Sequence, residues 1–267
     1  MSDAVARLKA QLPEHPSVDE LTPLADDYTG LRILAVHAHP DDESSKGSAS
    51  AAAYTDRGAR YMVATMTGGE RGDILNEEIK HSPRAHRDLP GMRRSEMAAA
   101  AKAIGIEHRW MGFVDSGLPE GDPMPPLPFG CFGVQPLERA AAPLVRLVRE
   151  YRPHVMISYD EIGGYPHPDH IMSHKVAVEA YEKAGDPEAY VGEGQPWAPL
   201  KLYYDRAFNP ERLVAGHEFL MARDGQSVFS GWIENLVDQV STEGIRHEST
   251  TRIPSSAYFD RRDQAML

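Results

Sequence analysis

Cysteine is almost absent. Cys131 is the single one in 267 residues, which excludes an intramolecular disulfide and any cysteine-based zinc site and suits a reducing compartment. It sits in Phe129-Gly130-Cys131-Phe132-Gly133 with no activating base in its neighbourhood, so it reads as an unreactive loop or core thiol. Long apolar runs are missing too. No stretch approaches the roughly 20 residues that cross a bilayer, and the N-terminus lacks the apolar core of a signal peptide. Positive charge is in deficit: 28 Lys and Arg against 40 Asp and Glu leave a formal net charge of −12. That balance disfavours a nucleic-acid or anionic-membrane partner. The expectation is a cytoplasmic protein with neither kind of partner. Three motifs are absent as well. There is no G-x-S-x-G elbow, no G-x-G-x-x-G after the first strand and no G-x-x-x-x-G-K-[ST] loop, which removes the serine-hydrolase, dinucleotide and P-loop readings.

What is present is a soluble globular composition, 41% apolar and 25% charged. Residues 1–28 mix charge with Pro13, Pro16 and Pro23 and read as an N-terminal arm. Residues 29–267 carry a β-α alternation and are expected to form one domain. The strands are Leu31–Val36, Arg60–Thr65, His108–Met111, His154–Ser158 and Leu200–Tyr204. Helices are expected over about Gly47–Arg57, Met92–Ile104, Leu137–Tyr151 with Pro143 as a kink, and His170–Ala184. Asn209-Pro210 reads as a cap opening a further helix to about Ala222. Trp232–Val240 reads as helix and Thr250–Ile253 as strand. Gly112 to Pro136 holds six Pro and five Gly and reads as a long functional loop. The fold class is α/β, Rossmann-like, a mostly parallel sheet with helices on both faces.

Chemistry concentrates in two clusters. His37-Ala38-His39-Pro40-Asp41-Asp42-Glu43 follows strand 1, and Tyr165-Pro166-His167-Pro168-Asp169-His170 follows strand 4. In the common strand order 3-2-1-4-5 those strands are neighbours at the topological switch point, where ligands bind beyond the carboxyl ends. The fold then brings the clusters together at the C-terminal ends of strands 1 and 4. His39, Asp42 and His170 supply a His-Asp-His set of the kind that holds a hydrolytic metal and leaves a position open. Asp41 is the candidate base, and His167 and Asp169 form an orienting or acid pair. Against this stands the plain reading of both clusters as solvated turns. Residue by residue, Gly68-Gly69-Glu70-Arg71-Gly72 reads as a phosphate-binding loop, disfavoured by Glu70, or as a tight turn, Arg93 as part of a solvated helix face, and Asp115-Ser116-Gly117 as another turn.

These stretches resemble the LmbE-like (PIG-L type) metal-dependent deacetylases. The matching segments are His37–Gly47, Thr67–Asn76, Gly112–Pro123 and Gly163–Met172, and the similarity runs from about Leu31 to Leu267. The resemblance implies metal ligation by His39, Asp42 and His170 and Asp41 as general base. It implies that His167, oriented by Asp169, stabilises the tetrahedral intermediate or acts as acid, with Tyr165 at the developing oxyanion. Arg93 and Asp115 match positions that hold a sugar–inositol substrate. Lys46 matches a position separating amidases from biosynthetic deacetylases, and it is expected to reach over the cleft mouth. The implied cofactor is one Zn2+ per chain, with Fe2+ the alternative. The implied partner is a small-molecule sugar–inositol thiol conjugate, cleaved at the amide between glucosaminyl-inositol and an N-acetyl-cysteine S-conjugate. The alternatives are deacetylation of N-acetylglucosaminyl-inositol or another N-acetyl sugar, and non-catalytic metal or sugar binding. The family pattern continues past the position of Leu267, so the C-terminal wall of the cleft is expected to be missing or built otherwise.

Overall fold

A computed structural model of the chain describes residues 2–10, 23–74, 76–121, 123, 125–205, 210–233 and 250–267. Five parallel strands, β1 (Arg32–His37), β2 (Arg60–Thr67), β3 (Glu107–Phe113), β4 (Val155–Ser158) and β5 (Lys201–Tyr204), form one sheet in the order β3-β2-β1-β4-β5. The central strand explains itself. Leu34 and Val36 point to one face and Ile33 and Ala35 to the other, and all four are buried. This is the period-2 pattern of a strand covered on both sides. One face is filled from α6 (Leu137–Tyr151) and α7 (Pro168–Lys183), whose Leu144, Val148, Val176 and Ala180 meet Leu34, Val36 and Met156. The other is filled from α3 (Ser48–Thr55) and α5 (Leu89–Ile104), whose Ala51, Ala52 and Ile104 meet Ile33, Ala35 and Val63. Small alanines let α3 lie close to the sheet.

Several bounds differ from expectation for local reasons. The first helical region is split into α2 (Asp42–Ser45) and α3, with Gly47 between them at φ +74. α5 starts early because Asp88 accepts the Gly91 N–H at 3.1 Å as an N-cap. A short α4 (Pro83–Arg87) precedes it. α6 runs through Pro143 without a break. Thr250–Ile253 joins no strand, and Pro254 directly after it lacks the N–H a ladder needs. Instead the C-terminus forms α9 (Phe259–Met266), whose Arg261 donates to the last carbonyls of α5, Ala103 at 3.0 Å and Ile104 at 2.8 Å. A cation there satisfies orphan carbonyls and the helix dipole together.

The sheet and these helices make one compact unit, Ala25–Asp205 with Ser255–Leu267. A smaller unit joins Met1–Leu24 with Arg206–Pro254. Within it α1 (Ser2–Lys9) and α8 (Pro210–Asp224) are linked by the Lys9–Glu218 ion pair at 2.8 Å. Asn209 and residues 234–240 of the expected later helix lie outside the described residues. No helix among the described residues is long and apolar enough to cross a membrane.

Candidate metal centre

β1 ends at His37, and the chain turns sharply into α2. The turn is made by Asp41, which adopts φ +108. A non-glycine residue there carries a strain of about 1–3 kcal/mol, of the kind found at functional sites. Its N–H is held by the buried Glu43 Oε2 at 2.9 Å. The turn presents His39 and Asp42 inward and leaves the Asp41 side chain 67% exposed. From β4 the chain passes through Tyr159 to the Gly163-Gly164 turn and into α7, where His167 is the N-cap and Pro168 the first helical residue. His170 is then the third residue of α7. Gly163 is required twice over: its φ is +76, and an added Cβ would lie 2.5 Å from the His170 Cβ.

The two clusters meet. His39 Nδ1 and His170 Nε2 each stand 3.8 Å from Asp42 Oδ2, too far for a hydrogen bond and close enough for two metal–ligand bonds of about 2.0 Å to span. His170 donates through Nδ1 to the Gly163 carbonyl at 2.9 Å. Its Nε2 is buried with no partner. Burial lowers its pKa to about 4, so the ring is neutral and directs an unused lone pair at the centre. His39 Nε2 faces Asp169 Oδ2 at 3.2 Å and Asp115 Oδ1 at 3.6 Å. Burial depresses its pKa, but the nearby Asp115 and Asp169 carboxylates, the second hydrogen-bonded, outweigh it and raise it to about 10. With its Nε2 proton held by those carboxylates, Nδ1 is the nitrogen that would face an ion after losing its own proton, the arrangement in which an outer carboxylate orients a metal-binding histidine. The donor set therefore fits a divalent cation. His39, Asp115, His167 and Asp169 also come close enough to hold an ion, but the hydrogen bond from His39 Nε2 makes these carboxylates its orienting shell.

The other expected residues take definite positions. Asp169 does not hold His167 through its carboxylate. Its backbone N–H donates to His167 Nδ1 at 3.1 Å, which places the His167 proton on Nε2. The Asp169 carboxylate accepts instead from His39, the Ser116 N–H at 2.8 Å and the Ser116 hydroxyl. Burial, with the nearby His39 charge, lowers the His167 pKa to about 4. Tyr165 lies edge-on to His170 at 4.6 Å, and burial and the surrounding carboxylates push its pKa to about 12. Desolvation and the Asp42 charge raise the Asp41 pKa, opposed by Arg93.

Lys46 does not reach over a cleft mouth. Its side chain is 9% exposed and its ammonium pairs with Asp42 Oδ1, because the i,i+4 spacing turns it inward. Asp115 is also buried, its carboxylate taken by the Arg71 N–H at 2.9 Å, the Gly117 N–H at 2.7 Å and His39. Arg93 donates to Asp41 Oδ2 and the Pro40 carbonyl, both at 2.9 Å. It crosses the Gly69–Gly72 turn, where a Cβ on Gly72 would lie 2.8 Å from its Nη2. Room for Arg93 is thus a reason for that glycine-rich turn.

Tyr159, Ser116 and Gly163 belong to this site; Tyr159 was not singled out from the sequence, Ser116 was read only as part of a turn and Gly163 only as the start of a matching segment. Their only signal is position: Tyr159 is the first residue past β4, and the others flank residues that were singled out. The sequence profile of the family described as PIG-L, GlcNAc-PI de-N-acetylase, matches residues 34–181, more than half of the chain. The chain belongs to this family. Its PIG-L relatives include the mycothiol S-conjugate amidase of Streptomyces coelicolor, 46% identical over 239 residues, 89% of this chain and 80% of that one. A 1D-myo-inositol 2-acetamido-2-deoxy-alpha-D-glucopyranoside deacetylase of Thermomonospora curvata is 42% identical over 86% of this chain and 77% of its own. A conserved protein of Thermus thermophilus shares the fold, with a TM-score of 0.55 at 21% identity over 89% of this chain and 78% of that one. As a PIG-L protein the chain is a hydrolytic enzyme, an amidase or deacetylase by class.

Proposed function

We propose that this protein is a zinc-dependent cytosolic amidase that cleaves the amide between glucosaminyl-inositol and the N-acetyl-cysteine part of a mycothiol S-conjugate. The observation that carries the chemistry is the convergence of His39 Nδ1, Asp42 Oδ2 and the unpartnered His170 Nε2 on one point. The similarity to the Streptomyces coelicolor amidase carries the substrate. The neutral imidazole of His170, the imidazole of His39 once its Nδ1 gives up a proton to the incoming ion, and one carboxylate suit zinc, and ferrous iron by the same donor chemistry. When bound there, the ion supplies a more acidic water and a polarised acyl carbonyl.

The chain's own residues do the rest. Asp41 stands beside the centre on the open side, held by Arg93, with a raised pKa that suits a base accepting the water proton. The water oxygen joins the acyl carbon, the C–N bond breaks, and the glucosamine nitrogen leaves with an added proton. His167 is neutral with its proton on Nε2, so it can donate to the developing oxyanion or to the departing nitrogen. Tyr165 is a second, always protonated donor. Asp115 and Asp169 act through His39. Arg93 acts first on Asp41, and a contact with the sugar would be additional.

The second reading, deacetylation of N-acetylglucosaminyl-inositol, has the support of the Thermomonospora curvata relative. The two are separated by competition between a mycothiol S-conjugate and N-acetylglucosaminyl-inositol, followed by mass spectrometry. Preference for the conjugate by about tenfold in kcat/KM, a differential of about 1.4 kcal/mol, is expected. Preference for the acetyl sugar overturns the amidase reading and promotes the deacetylase.

A further inference from the structure

Tyr159 touches two of the three proposed ligands at once. It is the first residue beyond β4 and is 1% exposed. Its hydroxyl donates to Asp42 Oδ2 at 2.5 Å and accepts the Ala38 N–H at 2.7 Å. Its ring stacks on His170, with centroids 4.3 Å apart and planes at 19°. Ala38 is itself anchored, its carbonyl accepting the Thr67 N–H at 2.9 Å and the Thr67 hydroxyl at 3.0 Å. One phenol therefore ties the carboxyl end of β4 to that of β1 at the place where the strand order reverses.

A buried tyrosine usually needs only some partner for its hydroxyl. This one has a backbone donor already in Ala38, and yet spends its proton on the oxygen that faces both imidazoles. Asp42 Oδ2 also accepts the His39 N–H at 3.0 Å, while Oδ1 is taken by Lys46. The carboxylate is thereby fixed in rotation and directed between His39 and His170. We infer that Tyr159 is a positioning residue for the metal centre, setting the orientation of Asp42 through its hydroxyl and that of His170 through its ring. This rests on the ligand set proposed above and goes beyond it. Removal of an outer-shell partner of this type typically costs about 10- to 100-fold in metal affinity.

The test is zinc affinity of the full-length chain, measured by competition with a chromophoric chelator after metal removal. Wild type and Asp42→Ala come first: loss of binding in Asp42→Ala supports the ligand set, and unchanged binding rejects that set rather than Tyr159. Tyr159→Phe keeps the ring and removes the hydroxyl. A folded Tyr159→Phe is expected to bind zinc about tenfold more weakly, with a smaller zinc-induced rise in Tm. Zinc affinity equal to wild type, whatever the change in the Tm of the metal-free protein, reduces Tyr159 to a packing residue and overturns the inference. Should Tyr159→Phe fail to fold, 3-fluorotyrosine at position 159 preserves the shape and both hydrogen bonds while making the phenol a stronger donor. Zinc affinity is then expected to shift from wild type, because the outer-shell donor to Asp42 is changed, and an unmoved affinity overturns the inference equally.

Discussion

Lys46 shows what a single residue's neighbours add to its identity. Read in sequence it is a cation near a metal motif, free to meet substrate. In the fold it is a buried counter-ion to Asp42. Removing one partner of a buried pair leaves the other uncompensated, at a cost of roughly 3 kcal/mol. Lys46→Ala is therefore expected to lower the Tm and to reduce turnover of the mycothiol S-conjugate and of N-acetylglucosaminyl-inositol alike. Steady-state kinetics with both substrates checks this, and a loss confined to the conjugate would return Lys46 to the substrate. Asp205, just past β5, carries a second electrostatic consequence. Burial raises its pKa to about 6, with Lys46 opposing and Asp42 adding to the rise. A raised folded-state value makes the contribution of Asp205 to stability greatest below its ordinary 3.8, and that contribution is lost as pH rises through about 6. Asp205→Asn should therefore gain Tm over wild type near pH 8 and little near pH 4. Thermal melts at both values test it, and no greater gain at the higher pH would contradict it. The proposed metal ligands were legible because histidine and aspartate at strand ends are informative by type. Tyr159 and Ser116 were not, because a hydroxyl acquires its role only from a partner more than fifty residues away.

At the scale of elements, strands and long helices were legible where burial imposes a period. Ile33, Leu34, Ala35 and Val36 are apolar because both faces of β1 are covered, and α6 repeats Leu144, Val145, Leu147 and Val148 toward the sheet. The C-terminal helix α9 was not legible. Phe259–Met266 is rich in charge and buries none of its residues fully, so it has little apolar period, and it is held by Arg261 at the end of α5. The connection from α7 to β5 likewise depends on one buried side chain. Arg149 of α6 donates to the carbonyls of Ala184, Asp186, Ala189 and Tyr190 at 2.8–3.0 Å. A planar fork of donors suits several carbonyls at once. Arg149→Met keeps much of the bulk and removes these charge-assisted bonds, leaving the Ala189 carbonyl without this donor while Ala184, Asp186 and Tyr190 keep backbone N–H donors, so a loss of roughly 2 kcal/mol in stability is expected. Denaturant unfolding measures it; stability within about 0.5 kcal/mol of wild type would show that water replaces the arginine.

For the whole molecule, the informative inference was topological. Two polar clusters far apart in sequence meet because each follows a strand that flanks the reversal in β3-β2-β1-β4-β5. With Asp115 from just beyond β3, they gather the carboxylates of Asp42, Asp115 and Asp169 around His39 and His170, a concentration of negative charge that a cation stabilises. The roles within that cluster were harder to read, since Asp169 follows His167 by two residues yet serves His39 beyond the end of the neighbouring strand. The account stands on the claim that His39, Asp42 and His170 hold one metal ion at this switch point. Elemental analysis of purified wild type, His39→Ala, Asp42→Ala and His170→Ala tests that claim most directly. The expected result is about one divalent ion per chain in wild type, as a single three-ligand site requires, and markedly lower occupancy in each folded variant. Full occupancy in all three variants would contradict the claim.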